Sequence, residues 1–122
     1  ESETGIKVNV VNADAGERAR SLSIYAETYL DLIDEKALDP SNTTKAIVSL
    51  EEALSVLNIQ SNNGILSYCY VMMGRAFIIL NKHEEAIKYL DKAYSIGQSL
   101  GTKRHMIDAL KLFIEIDAKN GN

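Results

Sequence analysis

At 122 residues, 46% of them hydrophobic, the chain has the length and apolar content of one domain with a real core. Its single proline, Pro40, and a charged fraction of 25% favour helices over a turn-rich β fold. A formal net charge of −4, with 13 basic residues scattered and no run of Lys and Arg interleaved with aromatics, argues against nucleic acid as a partner.

Residues 1–13 are polar apart from Ile6, Val8, Val10 and Val11. That alternation suits a short strand or an extended polar arm, loosely ordered unless something pairs with it. From Asp14, an N-cap candidate, the period becomes helical: Ala19, Leu22, Ala26, Tyr29, Leu30 and Ile33 share a face, with Tyr25 and Leu32 beside it. This first helix is expected to run to Lys36 or Ala37. Asp39-Pro40 stops it, because proline disfavours helical geometry in the residue before it and can itself open the next helix. Ser41, Asn42 or Thr43 then caps a second helix that reaches Leu57 or Asn58 and buries Ala46, Leu50, Ala53, Leu54 and Leu57. Gln60 to Gly64 form a polar loop, from which Asn62 or Asn63 caps a third helix.

That third helix, Ile65 to Leu80, is apolar almost all the way round and must be covered on several sides. The helix after it is amphipathic, with Ala86, Leu90, Ala93, Gly97 and Leu100 at steps of three and four and with Ile87 and Tyr94 widening the stripe. Glu84, Glu85, Lys88, Asp91 and Lys92 face water, and Glu84 and Lys88 are ordinary i,i+4 partners. Asn81-Lys82-His83 joins the two, with Asn81 as a cap and Glu84 reaching back as a capping box. Gly74 and Ala76 on one helix and Ala86 and Ala93 on the other are small where the two would cross. A fifth helix follows Gly101, a C′ candidate, from about Lys103 to Ala118, with Met106, Ala109, Leu110, Phe113 and Ile114 apolar. Its apolar residues lie on more than one side.

The stretch Ser67 to Leu100 resembles the tetratricopeptide repeat, a helix–turn–helix unit of about 34 residues. With Ser67 as the first position, Tyr70 falls where the family has Trp, Met73-Gly74 where it has Leu-Gly and Phe77 where it has Tyr. Ala86, Leu90 and Ala93 then fall on the Ala, Phe and Ala of the second helix, while Gln98 stands where Pro usually closes the repeat. Ala46, Leu50 and Ala53 repeat the spacing of Ala86, Leu90 and Ala93, and Leu22, Tyr25-Ala26 and Tyr29 repeat that of Tyr70, Met73-Gly74 and Phe77. Residues 19–58 therefore read as a degenerate repeat with an elongated hairpin. Residues 67–100 are the best repeat, and 101–122 are half a repeat, with Ala109 where Gly74 and Ala26 fall. The resemblance implies an all-α domain over residues 14–122, a right-handed superhelical stack of antiparallel helix hairpins with about five helices. The start at Glu1 and the closing Asn120-Gly121-Asn122, which reads as the turn after a first repeat helix, suit a piece of a longer chain.

Little in the chain points to a reaction. Cys69, the single cysteine, cannot form an internal disulfide and reads as a small buried hydrophobe, which leaves the compartment open. His83 and His105 are far apart in sequence and read as surface residues, with no metal-ligand spacing around them. Asp31, Asp34 and Glu35 crowd the end of the first helix against its dipole, but they lack the alternating ligands and central glycine of a calcium loop. Gly97 and Gly101 lack the Lys-Ser/Thr of a phosphate loop, and no Ser, His and acid fall in a nucleophile motif. The expectation is a non-catalytic chain with no cofactor and no metal. Arg75 breaks the longest apolar run well short of the roughly 20 residues of a membrane span, so this domain itself is expected to have no membrane segment.

What remains is a surface. In tetratricopeptide-like stacks the first helix of each repeat lines a concave groove. Carried over by repeat position, the resemblance implies Tyr68, Val71, Met72, Arg75 and Ile79 from the central repeat, Arg20, Ser23 and Glu27 from the first, and Lys103 and Met106 from the third. Tyr68 and Arg75 stand out, because aromatic and Arg side chains supply anchoring area and bidentate hydrogen bonds. Val71 and Ile79 serve packing equally well. The Lys and Asn pattern by which some family members grip a C-terminal carboxylate is absent. The implied function is binding of a protein or peptide, or assembly, within a larger protein. The apolar outer side of the fifth helix is expected to be covered by a further helix or by another copy of the chain, giving a homo-oligomer. Residues Ala93 to Asn122 also resemble the inter-repeat junctions in the sensory regions of bacterial signalling proteins. A peptide-pheromone receptor region of a transcription regulator, and the helical scaffold of an enzyme whose active site lies elsewhere, are the alternatives.

Overall fold

The computed structural model describes residues 2–57 and 63–121, with side chains from residue 15 onward. Among the described residues there are five α-helices and no strand: α1 Ser2–Asp34, α2 Thr43–Val56, α3 Asn63–Ile79, α4 His83–Leu100 and α5 Lys103–Lys119. The fold is all-α and tetratricopeptide-like, with α1 and α2 forming one antiparallel hairpin and α3 and α4 the next. The all-round apolarity of α3 has its explanation in position, since α3 packs against α1, α2, α4 and α5.

Small residues set how closely the helices approach. Ala26, Ala46, Ala53, Ala76, Ala86, Ala93 and Ala109 are all fully buried. At Gly74 a methyl group would lie 2.5 Å from Leu90 Cδ2 and 2.6 Å from its Cγ, so the α3–α4 crossing requires glycine there. Leu30, Leu50, Met73 and Leu90 fill the space that the alanines leave. Two buried hydroxyls tie each hairpin together: Ser49 on α2 donates to the Leu22 carbonyl of α1 at 2.9 Å, and Ser67 on α3 donates to the Ala93 carbonyl of α4 at 3.2 Å.

The helix ends share one device. Lys36 (φ 63°), Asn81 (φ 62°) and Gly101 (φ 71°) each follow a helix in the left-handed conformation. The next amide reaches back five residues, from Ala37 to the Leu32 carbonyl, from Lys82 to that of Phe77 and from Thr102 to that of Gly97, each at 2.8 Å. Gly101 thus holds the C′ position expected of it. Asn81 does not cap α4 as expected. It closes α3, because asparagine tolerates the left-handed region, and α4 starts after Lys82 with no side-chain cap.

Five other expectations change. α1 begins at Ser2, so residues 2–13, expected as a strand or a polar arm, are part of that helix. Ile6 and Val10 are four apart and Val8 and Val11 three apart, which fits a helical period as well as an alternation. α1 also ends at Asp34, two residues early, once Lys36 has turned. Neither Ser41, Asn42 nor Thr43 caps α2 through its side chain. Instead the Asp39 carboxylate accepts from the Ser41 amide at 2.8 Å and opens a 3-10 turn, Pro40–Asn42, that feeds α2. Asn63 and Gly64 begin α3 rather than ending a loop, while Asn58, an expected end of the second helix, and residues 60–62 of the expected loop, including Asn62, lie outside the described residues. Leu100, placed on the buried stripe of α4, is 45% exposed, because the stripe closes at Gly97 where α5 arrives.

Candidate functional site

The odd-numbered helices run side by side and parallel. As α3 advances from Tyr68 to Arg75, its partners on α1 advance from Glu27 to Asp31 and Asp34. His83 at the start of α4 meets Asn120 just past the end of α5, with Nδ1 and Oδ1 2.9 Å apart, so α5 runs against α4 and along α3. The three helices enclose an open groove of about 610 Å³. Arg20, Ser23, Ile24 and Glu27 line it from α1, Gly64, Ile65, Tyr68 and Met72 from α3, and Arg104, His105 and Asp108 from α5.

Five of the ten residues expected in a groove line this cavity: Arg20, Ser23, Glu27, Tyr68 and Met72. Tyr68 is its centre, half-buried on α3, with its hydroxyl donating to the Glu27 carboxylate across the α1–α3 seam. Burial first, then that carboxylate, push the Tyr68 phenol well above its ordinary range, so it stays a donor at any physiological pH. Ser23 is fully buried and donates to the Arg20 carbonyl at 2.8 Å. Its hydroxyl also neighbours Cys69, whose thiol burial pushes up to about 12, which keeps the sulfur protonated and inert.

The other five lie outside the lining. Val71 is 3% exposed and belongs to the core, and Ile79, half-buried, packs against it. One Nη2 of Arg75 donates to Asp31 at 2.6 Å and to Asp34 at 2.7 Å. The pairing raises the Arg75 pKa further, against the opposing effect of burial, and it gives the crowded carboxylates at the end of α1 their counter-charge. Among the described residues no group of three His, Cys, Asp or Glu could hold a metal.

Lys103 and Met106 are replaced in the groove by Arg104, His105 and Asp108, because α5 is turned about its axis relative to the simple carry-over. The turn follows from Gly97: a methyl group there would lie 3.1 Å from Met106 Cγ and 3.3 Å from its backbone nitrogen, so Met106 is seated on α4. That bare glycine, three residues before the end of α4, is the one sequence signal that could have found the shift. His105 faces the groove half-buried, with Nδ1 unpartnered among the described residues. Desolvation lowers its pKa, helped by Arg104 and opposed by Asp108, so it is neutral at pH 7. Ile24, Gly64 and Ile65 complete the apolar lining that the carry-over missed.

Compared with known proteins, residues 67–99 match the family model described as the tetratricopeptide repeat. The searches of curated proteins and of solved structures found no match. The matched residues cover most of α3 and all of α4 but Leu100, the hairpin crossing at Gly74 and Leu90. The hairpin that carries the tetratricopeptide-repeat match thus supplies, through α3, the central wall of the groove.

Proposed function

We propose that the chain is a non-catalytic module that binds a protein segment or peptide in the groove between α1, α3 and α5. The observation that carries this reading is the placing of an aromatic anchor, Tyr68, over an apolar floor of Ile24, Ile65 and Met72, with charged groups on both rims. An extended peptide suits such a groove, because anchoring side chains enter the floor while Arg20, Arg104, Glu27 and Asp108 fix its polar groups. Binding rather than catalysis is supported by the chemistry of the reactive residue types, with Cys69 buried as a thiol and His83 engaged by Asn120. The resemblance of residues 93–122 to junctions in bacterial sensory regions supports a place in signalling or regulation. The groove would there read a partner for an attached effector.

The test is selection of binders from a random peptide display library, followed by calorimetric titration of the selected peptide. Tyr68→Ala should weaken binding at least tenfold, the order of about 1.4 kcal/mol or more expected of an aromatic anchor. Arg75→Ala should leave affinity unchanged, because that guanidinium is committed to Asp31 and Asp34. Selected peptides that bind both variants as tightly as the parent chain would contradict the groove reading.

A further inference from the structure

The face of α5 opposite the core carries Ile107, Leu110 and Ile114, exposed by 49%, 46% and 67%. At about 100° per residue these three form one continuous stripe within a sector of about 60°, on the side of the helix away from Ala109 and Ile116, its buried residues. Among the described side chains, no other helix sets three large exposed aliphatic residues in a single line. Charge flanks the stripe in an order that opposes the helix's own dipole. Lys103 and Arg104 stand at the N-terminus, where a helix favours acids, and Glu115 and Asp117 stand near the C-terminus, where it favours bases. All four are exposed, and none of them is in an ion pair with Asp, Glu, Lys or Arg of the described residues except Glu115 with Lys119 at 3.9 Å.

We propose that two copies of the chain associate through α5, the helices packed antiparallel about a two-fold axis beside Leu110. In that arrangement Ile107 of each copy meets Ile114 of the other, and the two Leu110 side chains meet at the axis. On one edge Lys103 comes against Asp117 of the second copy, and on the other edge Arg104 comes against Glu115. Both edges place each misoriented charge beside its opposite, and the two helix dipoles oppose. A parallel pairing would set Lys103 and Arg104 against themselves. The charge order thus selects one orientation of a second copy.

The test is sedimentation equilibrium of the whole chain up to millimolar concentration, with cysteine cross-linking to fix the orientation. A monomer–dimer equilibrium is expected, and Ile114→Asp should abolish it. Lys103→Glu should weaken the dimer, on the order of tenfold for two reversed exposed pairs, and adding Asp117→Lys should restore it. Val48→Asp, at an exposed position on α2, should have no effect. Ile107→Cys mixed with Ile114→Cys should cross-link on mild oxidation while neither variant does so alone, Cys69 being buried. A strict monomer at every concentration would leave the stripe to some other protein and overturn the proposal. So would a dimer indifferent to Ile114→Asp, growth beyond a dimer, or cross-linking of Ile107→Cys with itself.

Discussion

At the scale of single residues, the molecule is governed by where side chains are absent. Gly74 has no room for a methyl group against Leu90, which is itself fully buried and has nowhere to move. Gly74→Ala should therefore destabilise the fold by about 1–3 kcal/mol despite the better helix propensity of alanine, read as a lower midpoint in urea unfolding. An unchanged or raised midpoint would mean that the α3–α4 crossing is looser than described. Gly97 acts through geometry of a different kind, since it lets Met106 approach α4 and so decides which residues of α5 reach the groove. Arg75 is a residue whose chemistry suited an interface but whose surroundings use it otherwise. From sequence alone it stood beside Tyr68 as an anchor, and the two carboxylates that claim it lie more than 40 positions earlier on α1.

At the scale of elements, four helices end in left-handed residues, and only two of those residues, Gly101 and Gly121, are glycine. Lys36 holds φ 63° at a cost that glycine does not bear, so Lys36→Gly should stabilise the chain by up to about 1 kcal/mol in the same unfolding measurement. A loss of stability would show that the lysine side chain contributes something the backbone argument omits. The elements also mark what could be read from sequence. The α3–α4 hairpin was legible because Gly74, Ala86, Leu90 and Ala93 are both the spacing signal and the packing contact. The start of α1 was not, because Ile6, Val8, Val10 and Val11 satisfy two periods at once. Asn81 misled for a related reason: asparagine serves equally as an N-cap and as a left-handed C′ residue, and the choice depends on how tightly the next helix folds back.

At the scale of the whole molecule, the stack is built around α3, and the groove is a consequence of its three parallel odd-numbered helices. Arg20, Ser23, Glu27, Tyr68 and Met72 could be placed there from repeat position, because α1 and α3 are held in register by hydrogen bonds such as Tyr68 to Glu27. The α5 wall could not, because its rotation depends on one glycine of the preceding helix rather than on its own pattern. The groove and the α5 stripe lie on different sides of the same helix and share Arg104 at their border, so binding and self-association are tested separately through Tyr68 in the groove and Ile114 on the stripe. Whether the concave side is the binding surface can be read by backbone amide NMR during titration with a display-selected peptide. Shift changes are expected at Ile24, Gly64, Ile65, Tyr68, Met72 and Asp108, with the amides of Val48, Tyr70 and Lys92 unmoved. Changes concentrated around Val48 or around Tyr70 and Lys92, with the groove silent, would contradict that expectation.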